Sequence, residues 1–291
     1  MRKINFLIVL CMVSLINPSL LFADLIWTGC GISKKAYMSE MAAAFEKKSG
    51  IKIQLSGGGA TKGIRYANNG KADLGGSCRH LIVHDEESNV SLVIAGWDAI
   101  VVVVNKSNPI SDISHNDLKA VLRGEITNWK KLGWGDHPIE VYVRKGKISG
   151  VGMMSRELIF ADADVEFVSN KVFKSSGPLE KALEKSKWAI GLTGISSAKK
   201  RDLKVLDLNG IKPTMENLIN GNYILTRPLY IVTNKKRSSD VWAFLKFVRS
   251  PAGQAIIEGE GTVPANKAGN LLRQYRLLMK DIKGSQKGAF E

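Results

Sequence analysis

Residues 25–61 read LIWTGCGISKKAYMSEMAAAFEKKSGIKIQLSGGGAT, and the punctuation of this stretch decides the fold. Leu25-Ile26-Trp27 is a short apolar strand running into Thr28-Gly29-Cys30-Gly31, and Ser33 then precedes a helical pattern through Tyr37, Met38, Met41 and Phe45. The helix stops at Ser49-Gly50. Ile51-Lys52-Ile53-Gln54-Leu55 alternates as a second strand should, and Ser56-Gly57-Gly58-Gly59-Ala60-Thr61 opens the next helix. The unit recurs where Ala72-Asp73-Leu74-Gly75-Gly76 ends at Ser77-Cys78-Arg79-His80, while Leu92 to Ala95 and Ala99 to Asn105 supply further strands. Strands alternating with helices, with Gly and hydroxyl residues at the turns between them, predict an open α/β sheet whose crevice lies at the carboxyl ends of its strands. Helix N-termini at such turns attract anions, because free backbone N–H groups and the helix dipole point into the crevice.

A second region starts near Asn105-Lys106-Ser107-Asn108-Pro109. It carries an amphipathic helix at Leu118 to Leu122, an aromatic loop through Trp129 and Trp134, and a strand from Ile139 to Val143. That strand feeds Arg144-Lys145-Gly146-Lys147-Ile148-Ser149-Gly150, so the pattern of an anion turn appears again. Near Pro228 the chain returns to a strand, Leu229 to Thr233, and to a helix from Asp240 to Val248. The expectation is two lobes, residues 24–104 with 228–265 and residues 105–227, joined by two crossings that permit hinge closure over a ligand. Residues 266–291 read as a basic, partly helical tail.

The remaining composition narrows the class. A chain of 291 residues with 44% hydrophobic and 24% charged residues is that of an ordered globular protein long enough for two lobes. Met1-Arg2-Lys3, the apolar stretch Ile4 to Ile16, and Leu21-Phe22-Ala23 follow the order of a secretory leader cleaved after Ala23, which implies a periplasmic location. The apolar run falls short of the roughly 20 residues needed to cross a bilayer. Ile26-Trp27-Thr28-Gly29 before Cys30 does not match a lipid-attachment box. Arg2 and Lys3 are the leader's only charges, so its removal lowers the formal charge from +15 to +13. The basic runs at Lys199-Lys200-Arg201 and Lys235-Lys236-Arg237 lack the interleaved aromatic residues of a single-strand binder, and nucleic acid is not an expected partner. There is no Gly-x-Ser-x-Gly elbow, no His-Glu-x-x-His, no Cys-x-x-Cys and no complete phosphate loop, so the expectation is a non-enzyme without cofactor or metal.

From about Leu25 to Ala265 the chain resembles the periplasmic phosphate-binding proteins of ABC importers. The residues that carry the resemblance are Leu55 to Ile64, Gly124-Glu125-Ile126-Thr127-Asn128-Trp129, Ala189-Ile190-Gly191-Leu192, Thr226-Arg227-Pro228-Leu229-Tyr230, Ser250-Pro251-Ala252-Gly253-Gln254 and Gly261-Thr262-Val263-Pro264. The resemblance implies a two-lobed type II binding-protein fold, a monomer that captures a small inorganic anion, and delivery to an inner-membrane ABC permease. It implies that Arg144, Ser149 and Gly150 grip the anion, although Val151 stands where the family has Thr. Thr61 resembles the family's hydroxyl donor, and the turn ending in Cys78-Arg79 resembles a Gly-x-Ser-x-Arg variant in which some members place an Asp. No acid occupies the matching turns here, and Asp98 is the nearest substitute acceptor for the proton that phosphate carries. A role as a ligand-presenting sensor for a membrane receptor is compatible with the same fold.

Cys30 and Cys78 are the mature chain's only cysteines, and each falls at a strand-to-helix turn of the expected cleft, beside Gly31 and Arg79. Three readings stay open: two small buried thiols, one disulfide, or a thiol-directed ligand such as a soft metal or arsenite. His80 and His84 would share a face with that site if their segment were helical. Beside Asp85-Glu86-Glu87 they read instead as a polar exterior.

Overall fold

Three parallel strands carry the first Gly-rich turns. Leu25–Gly29 (β1) lies between Ile53–Gly57 (β2) and Leu74–Ser77 (β3), with Gly29 opposite both Gly57 and Gly76. The glycines make room for a buried aromatic ring, because a Cβ on Gly29 or Gly76 would stand 2.5 or 2.2 Å from Cζ2 of Trp27. The computed structural model from which this follows describes residues 24–287, so the expected leader lies outside the described residues.

Five further strands extend the sheet: Val90–Asn105 (β4), Glu140–Arg144 (β5), Lys171–Phe173 (β6), Ala189–Gly194 (β7) and Thr226–Asn234 (β8). Their order is β2-β1-β3-β8-β4-β7-β5-β6. The two segments expected around Gly96-Trp97-Asp98 are one 16-residue strand, β4. Gly96 reads as a break in the sequence, but it serves close packing: a Cβ there would meet the Val263 carbonyl oxygen at 2.8 Å, where the strand Val263–Pro264 pairs with it.

β4 belongs to two half-sheets. Up to Ala99 it pairs antiparallel with β8, and from Ile100 it pairs with β7 and the short strand Leu203–Val205. The change of partner falls earlier than residue 104, the expected lobe border. Ala99 to Val104 are fully buried, because helices cover both faces of the sheet and leave no exposed side for alternation.

The helices that matter for the site leave the carboxyl ends of these strands. The first, α1, runs through Gly31–Ser33, a π-helical turn at Lys34–Met38 and Ser39–Ser49, and ends at Gly50 in the left-handed conformation. Ala60–Asn68 (α2) follows β2, Gly150–Phe160 (α3) follows β5, and Ser176–Leu183 (α4) follows β6. The segment read as a tail forms Gly269–Lys287 (α5), which buries Leu271 and Tyr275 and sets the Tyr275 ring edge-on to Trp97 at 5.6 Å. Its inner face meets Trp97 of β4 and Leu158 of α3 in a common cavity. Among the described residues no helix is long and apolar enough to cross a membrane.

Candidate functional site

The turns of the two half-sheets face each other and touch. The carbonyl of Gly150, first residue of α3, accepts a hydrogen bond from Nη1 of Arg227 on β8 at 3.3 Å, and the same nitrogen reaches the Cys78 carbonyl at 3.2 Å. A Cβ on Gly150 would stand 2.4 Å from Sγ of Cys78 and 3.0 Å from Cβ of Ala60. Only a glycine fits between these facing turns.

Each expected residue has a definite place. Cys30 caps α1, its sulfur accepting from the Ser33 amide at 3.3 Å, and Gly31 begins that helix. Ser149 caps α3 by accepting from the Gly152 amide at 3.2 Å. Thr61, in the first turn of α2, donates to the Ile148 carbonyl at 3.0 Å, and Arg79 Nε donates to the same oxygen at 2.9 Å. These two side chains of the first half-sheet therefore clasp the turn of the second.

Arg79 is neutralised where it stands. It forms a two-pronged ion pair with Glu87, with contacts of 2.9 and 2.6 Å, and its remaining donors go to Ile148, His80 and Thr61. Both partners are buried, so Glu87 departs from the expected polar exterior, while His84, Asp85 and Glu86 are exposed as expected. Burial opposes the charge on Glu87, but the guanidinium of Arg79 outweighs it and holds the carboxyl below its ordinary value. The histidines do not extend a thiol site. Their segment is not helical: His84 caps the 3₁₀ turn at Asp85–Glu87, and His80 lies 2.9 Å from the Glu157 carboxylate across the facing turns.

Among the described residues Arg144 has no carboxylate partner. Its guanidinium donates to the carbonyls of Phe173 and Lys174 and to the hydroxyl of Ser176, at 3.3, 2.8 and 2.9 Å, which fixes it at the end of β5. Burial lowers its proton affinity, while the nearby thiols of Cys78 and Cys30 favour the charge.

Sequence reasoning left out the arginine at the centre. Arg227 is fully buried, lies 3.5 Å from Asp98, and leaves its Nε with no partner. The buried hydroxyl of Ser196 also has none, although the Ser196 amide donates to Asp98 at 3.1 Å. Asp98 thus caps the short helix Ile195–Ala198 from the other half-sheet, and burial pushes its carboxyl up. The available signal was a charged residue directly before the uncharged run Pro228 to Val232, in the same strand. A buried cation is costly unless something anionic is set against it.

Among the described residues Cys30 and Cys78 are free, buried thiols at neighbouring strand ends, the Cys30 amide donating to the Gly76 carbonyl at 3.0 Å. The Cys30 thiol pulls the Cys78 thiol down, and Arg227 and Arg144 add to this against burial, to about 6; burial pushes Cys30 up.

Comparison with known proteins agrees with this architecture. The chain is 27% identical over 235 residues to "Phosphate-binding protein PstS" of Borreliella burgdorferi, covering 77% of this chain and 84% of that protein. It is 24% identical over 224 residues to the protein of the same name from Bacillus subtilis, covering 75% and 73%. A solved structure described as a putative phosphate ABC transporter substrate-binding protein with bound phosphate, from Clostridium perfringens, superposes with a TM-score of 0.78 at 26% identity. It covers 84% of this chain and 100% of that one. The description "PBP superfamily domain" matches residues 30–252, which take in every strand of the two half-sheets but Leu25–Gly29 and Val263–Pro264, and the chain therefore belongs to the PBP superfamily.

Proposed function

We propose that this chain is a periplasmic receptor that captures inorganic phosphate between its two lobes and delivers it, as a monomer, to an inner-membrane ABC permease. The observation that carries the reading is a pair of buried polar groups without partners, Nε of Arg227 and the hydroxyl of Ser196, beside a half-buried Arg144 that has no carboxylate to neutralise it. They converge where the N-termini of α1 and α3 present further N–H groups, a combination suited to an oxyanion. The relatives named for phosphate binding support the choice of anion.

In this reading Arg144 and Arg227 supply charge, and Ser149, Gly150 and the α3 amides supply hydrogen bonds. Thr61 and Arg79 act on closure, through the Ile148 carbonyl. Asp98 accepts the proton of hydrogen phosphate, the task left open by the absence of an acid in the turns. Sulfate, which has no proton to offer, would leave that acceptor unpaired. The lobes are residues 24–104 with 228–265 and residues 105–227, and bending is confined to the place where β4 and β8 run side by side. Calorimetry of the reduced mature chain with phosphate, sulfate and arsenate tests the reading. Phosphate and arsenate are expected to bind with sulfate weak, and binding of none of the three would overturn it.

A further inference from the structure

Two features of the cleft are not used by a phosphate site. One is the pair of free thiols; the other is their placement on neighbouring strand ends, with the Cys78 sulfur against Gly150. Gly29 and Gly76 are paired across β1 and β3, the Cys30 amide donates to the Gly76 carbonyl at 3.0 Å, and Cys78 follows two residues on. Adjacent parallel strands therefore hold the thiols together at the floor of the anion cleft. Ser33 adds a hydroxyl 3.0 Å from the Cys30 sulfur.

The surroundings decide which thiol-seeking ligand suits the pair. A soft metal cation would enter beside two guanidinium groups, the buried Arg227 and the half-buried Arg144, whose field is repulsive to it. Among the described residues no group of three or more Cys, His, Asp or Glu side chains could complete a metal's coordination. A neutral oxyacid that forms bonds to sulfur and keeps an oxygen meets no such repulsion. It also satisfies the partnerless Nε of Arg227 and hydroxyl of Ser196.

We infer that the cleft takes trivalent arsenic as arsenous acid, chelated by Cys30 and Cys78. This rests on the reading of the cleft as an oxyanion site. In the step, As(OH)₃ loses two As–O bonds and gains two As–S bonds. Each departing hydroxyl leaves as water, with the two protons supplied by the thiols, or by a thiol and the solvent where Cys78 is already ionised. Arsenic keeps its oxidation state, and the remaining As–OH stays hydrogen-bonded to Arg227 and Ser196. Because Cys78 touches Gly150 when the lobes meet, entry requires the open form.

The test is equilibrium dialysis of the reduced mature chain against sodium arsenite, with arsenic measured by atomic spectrometry, beside a phosphate titration of the same preparation. One arsenic per chain is expected, competed by phosphate. Cys30→Ser and Cys78→Ser each convert a chelate into a single bond and should weaken retention about 10²- to 10⁴-fold. Thiol titration of the wild-type chain under denaturing quench provides a second readout that needs no variant: arsenite should protect both thiols together. Phosphate binding without arsenite retention, or retention unchanged in Cys30→Ser, overturns the inference. Arsenite retention without phosphate binding overturns the phosphate reading and leaves the dithiol site standing.

Discussion

Replacing Gly150 by Ala should separate closure of the lobes from their folding. Gly150 is the first residue of a helix and has no left-handed backbone angle, so alanine is accommodated within its own lobe. Across the cleft the new methyl would meet Sγ of Cys78 at 2.4 Å and Cβ of Ala60 at 3.0 Å, well inside van der Waals contact. Relieving that overlap needs about 1 Å of lobe separation, given contact distances near 3.5–4.0 Å. Such a shift stretches three hydrogen bonds that join the lobes: Thr61 to Ile148 at 3.0 Å, Arg79 to Ile148 at 2.9 Å and Arg227 to Gly150 at 3.3 Å. At about 1 kcal/mol each, their loss removes roughly 3 kcal/mol from the closed form. Phosphate affinity should then fall about a hundredfold. Calorimetry gives the affinity, and thermal melting of the ligand-free chain gives the fold. An unchanged melting temperature with weakened binding is expected. Wild-type phosphate affinity in the alanine variant would falsify the closure argument.

Arg227→Met should abolish measurable phosphate binding and destabilise the chain by about 3–5 kcal/mol, because Asp98 is left buried without its partner; urea unfolding measures this, and adding Asp98→Asn should restore part of the stability but none of the binding. Glu87 contributes stability that is fully present above its ordinary value near 4.5 and is lost as pH falls through its lower folded value. Glu87→Gln should therefore lower stability at neutral pH and flatten its decline under acid, read from melting temperatures across a pH series. Tyr275→Ala should cost about 3 kcal/mol in urea unfolding, since the ring is buried against Trp97; a cost near zero would show that α5 is not part of the packed body.

What could be read in the sequence was local. The turns after Leu25–Gly29 and Glu140–Arg144 announce themselves through Gly, Ser and an Arg at a strand end, and the half-sheets follow from alternation of strands with helices. Partnership across the chain could not be read. Arg79 looks like an anion ligand until Glu87, in an acidic run that resembles exterior, folds beneath it. Arg227 sits in a strand whose neighbours are apolar, and only burial shows that its charge is isolated enough to need an anion. Gly96 signals a break when seen alone and a close approach once Val263–Pro264 lies beside it. The helix Gly269–Lys287 has a basic face that hides the two residues, Leu271 and Tyr275, by which it docks.

β4 and β8 pass between the lobes as hydrogen-bonded neighbours, with Ala99 opposite Thr226 and the Ile100 amide donating to the Leu225 carbonyl at 2.8 Å. Two ribbons fastened edge to edge resist shear and splaying, and yield mainly by bending about one line in the plane of the sheet. Under the proposed closure the lobes would then have a single soft coordinate. Every group in the cleft would arrive together or not at all, and capture of an anion would be expressed as a change in one angle, which a membrane partner of the proposed kind could read without touching the ligand.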